Sequence, residues 1–371
     1  PDPLGVASTI TPVDPEALRN VCFQMIREEP NITLMLHTFV AGVTCREGRV
    51  ERVLCAHKGG LEEFSARCYI DATGDGDLAA WAGAPFTYGR PADGLAQPMT
   101  MVLRLGGVNM GKVRQAMKRR PDQFVLRQDA DRIPYTAVSG YFEEVEKARK
   151  AGELTFPRDR VLFFQGVRED EALVNMSRVI RRNSLDPSDM ALAEAEGRQQ
   201  TEEIVRFLRK HIDGFQDCRV LQTGETIGVR ESRHIRGEYE LTVRDVITGA
   251  SFEDAVAMCA FPIDLHDPNG GGLQWEQTDS ATCYEVPWRV MVIPTLRNLV
   301  VTGRCVCAEH EAAASVRITP TAMALGQAAG LAAALAKEGD FHTVPAPALR
   351  ESILRQGGIP DRKALERVHT E

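Results

Sequence analysis

The sequence lacks the marks of a secreted, metal-clustered or membrane-embedded protein. Nine cysteines occur in 371 residues, with no CxxC and no zinc-type pairing, and the closest two are Cys305 and Cys307. An odd, scattered set fits reduced thiols in a cytoplasm better than a disulfide framework. No apolar run approaches the length needed to span a bilayer. The opening PDPLGVASTITPVDP has neither a basic n-region nor an apolar h-region, so no export signal is visible. It reads instead like the interior of a linker, which suggests a natural N-terminus further upstream. Basic charge is in deficit as well: a net charge of −8 argues against general attraction to nucleic acid or anionic membrane. Internal repeats and low-complexity tracts are absent. What remains is a profile of 43% hydrophobic and 26% charged residues, that of a globular protein with one large or two ordinary domains.

Asp14-Pro15 can cap and begin a helix, with Leu18, Val21, Cys22, Met25 and Ile26 at the spacing of one buried face. Short β-like runs follow: ITLMLHTF, VAGVTC, RVERVLCAH and LEEFSARCYIDAT, with turns at Glu47-Gly48 and Gly59-Gly60. The simplest account is a three-stranded meander feeding one further strand. From about Gly89 to Gly270, apolar runs mix with charged helical stretches such as YFEEVEKARK, the texture of an inserted domain. Its glycine-rich turn GGVNMGKV nearly spells a P-loop, but Val113 stands where a hydroxyl must hold Mg²⁺, so it reads as an ordinary turn. The β-like pattern returns from Trp288 to Val301, and a small-residue helix follows Pro320 through Lys337.

Two stretches carry chemistry. In CYIDATGDGDLAAWAGAP, from Cys68 to Pro85, Asp71, Asp75 and Asp77 crowd a glycine turn. A calcium loop starting at Asp71 would put Thr73 at its third position and Ala82 where a bidentate glutamate belongs, so that reading fails. A dinucleotide turn does better. An apolar strand ends at Thr73, Gly74 and Gly76 bare the backbone, and Asp77 can cap a helix from Leu78. The carboxylates would repel bare phosphate, so they should face ribose hydroxyls, water or backbone N–H groups. A plain strand-to-helix turn explains the same residues. In the second stretch, NLVVTGRC runs into a glycine and Thr319-Pro320 reads as a cap followed by the first helical residue. Gly326 and Gly330 then offer a helix face that something large can approach closely, whether a ring system or a packed strand or helix.

Together and in this order, these stretches resemble the FAD-dependent oxidoreductase family of the glutathione-reductase-like flavoproteins. The similar blocks are IDATGDGDLAAWAGAPF (Ile70 to Phe86), GVRESRHIRGEYELTVRDV (Gly228 to Val246), FPIDLHDPNG (Phe261 to Gly270) and NLVVTGRCVCAEHEAAASVRITPTAMALGQAAGLAAAL (Asn298 to Leu335). The resemblance covers essentially the whole chain and implies bound FAD. It implies that Ala72, Thr73 and Gly74, with Asp75 beside them, lie near the diphosphate and ribose, and that the backbone of Val40 meets adenine. It brings Gly303, Arg304 and the helix start at Thr319, Pro320, Thr321 and Ala322 toward the ribityl chain and flavin. A helix start aimed at the negative charge of reduced flavin would stabilise it by up to ~2 kcal/mol, and Arg304 and Arg317 flank that region.

The family opens with a βαβ unit bearing GxGxxG, and this chain has no such opening. GDGDLA, from Gly74, fits the looser variant of the fingerprint but occupies the later ATG position. The expected fold is therefore α/β, an FAD/NAD(P)-binding-like three-layer domain (residues 1–88 with 289–371), incomplete at its N-terminus, carrying an inserted α+β substrate domain (89–288). The implied function is hydride transfer between a small polar substrate and flavin, in a site between the two domains. The alternatives are a remnant that holds no FAD alone, and a split enzyme whose GxGxxG comes from another chain or a preceding segment. Self-association is compatible with either, and neither calls for nucleic acid or membrane.

Hydride transfer needs a gripped substrate and a base. Arg230 and Arg233 suit a substrate carboxylate, or else salt bridges with Glu231, Glu238 or Asp245. His266, with Asp264 fixing its tautomer, suits a proton relay, or else a loop histidine bonded to backbone. His310 and Glu311 are second candidates. Asp264, His266 and Asp267 lack the further ligands of a metal corner, and Cys305 and Cys307 lack the redox spacing.

Overall fold

The computed structural model describes residues 11–125, 135–270, 273–276 and 283–368. They divide into two compact units, one drawn from 1–34, 97–230 and 266–274, the other from 35–96, 231–265 and 275–371. Both mix helix and strand, as an α/β protein should.

The first unit is built on a five-stranded antiparallel sheet in the spatial order Arg219–Thr223, Leu103–Gly106, Ala172–Val174, Val161–Gln165, Ala137–Gly140. Leu103, Leu105, Val161 and Phe163 are fully buried, and Val113, Val145 and Phe207 from three helices join the same core. Those helices, Met110–Arg119, Phe142–Lys150 and Pro187–His211, begin where short polar side chains or backbone turns allow. Asn109 accepts the Lys112 N–H, which makes GGVNMGKV a capped helix entry. Asp186 accepts from Ser188 and Asp189, with Pro187 as the first helical residue. The Pro15–Glu28 helix starts as its sequence implies, Asp14 accepting from Glu16 and Ala17. Its expected buried face is not found. No residue of that helix is buried, and Met25 is 63% exposed.

The second unit contains the expected meander, Phe39–Arg46, Arg49–His57 and Gly60–Phe64, all antiparallel. ITLMLHTF does not form a strand before Phe39. Ile32, Leu34, Met35 and Leu36 lie exposed with no ladder partner among the described residues, and an extended chain without a neighbouring strand leaves its backbone groups to water. Tyr69–Asp71 pairs in parallel with Leu299–Val301, so the two segments singled out by sequence are hydrogen-bonded neighbours. The Thr319–Leu335 helix packs against Tyr69–Asp71, the turn at Gly303–Cys305 and the Ala255–Cys259 strand. Leu299, Val300 and Val301 are fully buried with Leu325, Ala328 and Ala332 of that helix. Among the described residues, no single helix is long and apolar enough to cross a membrane.

Candidate functional site

The turn after Tyr69–Asp71 is tied internally before it meets anything else. Asp71, almost fully buried, accepts the Thr73 N–H and hydroxyl at 3.0 and 2.7 Å through one oxygen and the Ala79 N–H at 2.9 Å through the other. Thr73 Oγ1 in turn accepts the Asp77 N–H at 3.0 Å. Asp71 and Thr73 thus hold the start of the Asp77–Trp81 helix. Asp77 does not cap it: the preceding residue is Gly76 in the left-handed region, and the Asp77 carboxylate accepts from Arg233 Nη1 at 2.7 Å.

Residues from distant parts of the chain close over this turn. Gly74 sits at φ 82°, and a Cβ there would lie 2.6 Å from Arg304 Nη2. The positive φ favours glycine here, and the Arg304 guanidinium rests on the bare backbone. Arg304 donates to Asp75 Oδ1 at 3.2 Å, and Ser232 Oγ donates to the same oxygen at 2.6 Å. Arg233 donates to the Asp75 carbonyl at 3.0 Å and lies over the Phe86 ring. Thr302 N–H donates to the Asp71 carbonyl at 3.0 Å, which joins the two glycine turns through their backbones.

The second turn is open. Gly303, at φ 86°, has no atom of the described residues within 4 Å of the place a Cβ would occupy, and the same holds for Gly326 and Gly330 on the Thr319–Leu335 helix. Thr302 Oγ1 is buried and lacks a hydrogen-bond partner, a cost that a bound polar group would remove. Ile318 occupies the N-cap of the helix, so Thr319 is already helical and Pro320 is its second residue. Thr319 and Pro320 are exposed, Thr321 is buried and Ala322 is half-buried. These features fit an elongated nucleotide cofactor: bare glycine backbone, an orphaned hydroxyl and a helix N-terminus with unpaired N–H groups.

Arg317 lies 3.8 Å from Asp264. Burial pushes its pKa below the ordinary arginine value, against the pull of Asp264 and Glu231. His310 Nδ1 lies 2.7 Å from Glu231 Oε1, and His234 Nε2 lies 2.9 Å from the same oxygen. Val40 stands half-buried in the Phe39–Arg46 strand opposite Cys55. Cys305 is buried and its thiol pKa is pushed far up by desolvation, which suits the absence of a redox role.

Arg230 and His266 belong to the first unit, and all other nominated residues to the second. Arg230 donates to the Pro98 carbonyl and to Asn175 Oδ1. His266 is buried, with Nδ1 2.9 Å from Arg178 Nη2, and so accepts from a guanidinium at that atom. The sequence reading missed Ser232, and it missed that Glu231 and His234 join His310. The available signal was the polar run ESRH, which leads into and forms most of the Arg233–Ile235 strand.

A family model described as FAD dependent oxidoreductase matches residues 3–353. No curated protein sequence matches the chain. Among solved structures the chain is similar to a geranylgeranyl bacteriochlorophyll reductase-like protein from Thermoplasma acidophilum, with 12% identity over 90% of this chain and 52% of that one and a TM-score of 0.36. It is also similar to p-nitrophenol 4-monooxygenase from Pseudomonas putida DLL-E4, with 10% identity over 95% and 58% and a TM-score of 0.38. A third is a myxobacterial chondrochloren halogenase, described as a variant of FAD-dependent halogenases, with 11% identity over 89% and 49% and a TM-score of 0.36. The chain spans about half the length of these solved proteins.

Proposed function

The chain belongs to the FAD dependent oxidoreductase family, and from that premise we propose that it moves a hydride between a small polar substrate and flavin. FAD, when bound, supplies the two-electron acceptor. The residues that would hold it are Thr302, Gly303 and the helix start from Thr319 through Ala322, with Ala72, Thr73, Gly74 and Asp75 on the adjoining turn. The observation that carries this reading is the junction of the two glycine turns, drawn from far apart in the sequence and fastened by Arg304 on Asp75. His310 is the proton acceptor, since its Nε2 is buried without a hydrogen-bond partner. Arg233 is committed to Asp77 and Asp75 and so acts by shaping the turn. The scattered, unpaired cysteines suit a cytoplasmic setting.

The same reading includes a GxGxxG-bearing βαβ segment, from this polypeptide or another, that completes the sheet. Three observations support it. Tyr69–Asp71 has one ladder partner among the described residues, and its central Ile70 is 38% exposed. The apolar stretch from Ile32 to Leu36 is exposed. The Thr319–Leu335 helix presents Met323, Gly326 and Gly330 uncovered, although a two-stranded parallel sheet and a small-residue helix face are ordinarily buried.

Purification tests both parts. A yellow protein bleached by dithionite supports flavin binding by the chain itself. A colourless chain that turns yellow when co-expressed with a GxGxxG βαβ segment supports completion by that segment. A chain that stays colourless in both cases refutes the proposal.

A further inference from the structure

Deep in the second unit one carboxylate is shared by two histidines. Glu231 lies two residues before the start of the Arg233–Ile235 strand, His234 lies within it, and His310 opens the His310–Val316 helix. His234 Nε2 and His310 Nδ1 both meet Glu231 Oε1, and all three side chains are no more than 3% exposed. Burial opposes ionisation of Glu231, yet the hydrogen bonds of the two histidines hold its carboxyl well below the ordinary value. An ionised carboxylate only accepts hydrogen bonds, so the two facing nitrogens carry protons. In the neutral rings the far nitrogens, His234 Nδ1 and His310 Nε2, are then lone-pair acceptors. Both are buried and lack a partner. Native interiors seldom leave such atoms unmet, and those that remain ask for a water, a ligand or a chemical role.

We infer that Glu231 is a positioning residue that fixes the tautomer of His310 and so presents its Nε2 lone pair to the substrate, with His234 bracing the carboxylate from the other side. The inference rests on the flavin-dependent reading above for the identity of the proton donor. As the substrate's hydroxyl or amine X–H bond breaks, its electron pair stays on the oxygen or nitrogen and the proton bonds to Nε2. Glu231 stays ionised and stabilises the imidazolium that forms, as the carboxylate does in a hydrolase triad.

The test begins with the full chain labelled with ¹⁵N at its histidine rings, the two signals being assigned through His234→Gln and His310→Gln. Long-range ¹⁵N–¹H spectra at neutral pH are expected to find the proton of His310 on Nδ1 and that of His234 on Nε2. Glu231→Gln is expected to leave near-ultraviolet circular dichroism intact while His310 comes to populate both tautomers. The opposite or mixed tautomers in the unsubstituted chain overturn the inference even if the variant fails to fold. So does an unchanged His310 tautomer in Glu231→Gln. In flavin-loaded protein the same substitution should lower the limiting rate of substrate-driven bleaching by roughly a hundredfold without moving the half-saturating substrate concentration, and an unchanged rate overturns the inference. A protein that binds no flavin refutes the function but leaves the tautomer spectra as they are, so the two failures are distinguishable.

Discussion

At Gly339 the backbone sits at φ 73°, and a methyl group there would come within 2.1 Å of the Arg67 carbonyl oxygen. At Gly74 the corresponding contact is the tip of Arg304, a flexible side chain. Both positions bear the left-handed penalty of about 1–2 kcal/mol for a side chain, but only Gly339 adds a collision with backbone. Gly339→Ala should therefore cost more than ~3 kcal/mol in urea unfolding and Gly74→Ala about 1–2 kcal/mol, the latter also freeing Arg304 from Asp75. Equal costs would mean that the backbone at Arg67 yields. Glu231 gives a second expectation at this scale. Its carboxyl sits at about 2 when folded, against an ordinary 4.5. Below pH ~4.5 the unfolded chain gains a proton here that the folded chain does not, so stability is lost as pH falls from 4.5 through 2. The contribution at neutral pH is about 3 kcal/mol. Urea midpoints measured across that range should fall less steeply for Glu231→Gln than for the unsubstituted chain.

Elements were legible where their signal is local. The Thr319–Leu335 helix follows from Pro320 and the run of alanines, the meander from alternating β-formers between glycine turns, and the Tyr69–Asp71 and Leu299–Val301 strands from apolar runs ending in glycine. Boundaries drifted by one or two residues: Ile318 takes the cap because Pro320 is tolerated at the second helical position as well as the first, and the helix ends at Leu335 instead of Lys337. The run from Ile32 looked like a strand because its residues suit one, but a strand is a relation between two segments and no described segment supplies the other. Nor could periodicity reveal Ser232 on Asp75, or Glu231 between His234 and His310, since those pairings join positions with no shared repeat. The helix also yields a prediction of opposite signs. Gly326 and Gly330 lie in a helix interior with open space beside them, so alanine at either should stabilise this chain by about 0.5–1 kcal/mol in thermal unfolding. If the proposed βαβ segment packs on this face, the same substitutions should weaken recovery of yellow colour with it. Loss of stability in either variant would argue against an uncovered face.

For the whole molecule, linkage sets the expected response to cofactor. A ligand bound only by the folded state stabilises by about 2.7 kcal/mol at a hundredfold excess over Kd. Added FAD should accordingly raise the melting temperature of the chain assembled with the βαβ segment and leave the isolated chain unmoved. A rise for the isolated chain would show that the segment is dispensable for binding. The join between the two glycine turns also bears on how the protein is made. Asp75 and Arg304 are 229 positions apart, and ribosomes add about 5–20 residues per second. The first turn therefore waits roughly 10–50 s for the arginine that locks it. Throughout that interval the nascent polypeptide carries a bare β-edge through the cell, so its yield should depend on holdase capacity and translation speed as much as on the stability of the finished fold.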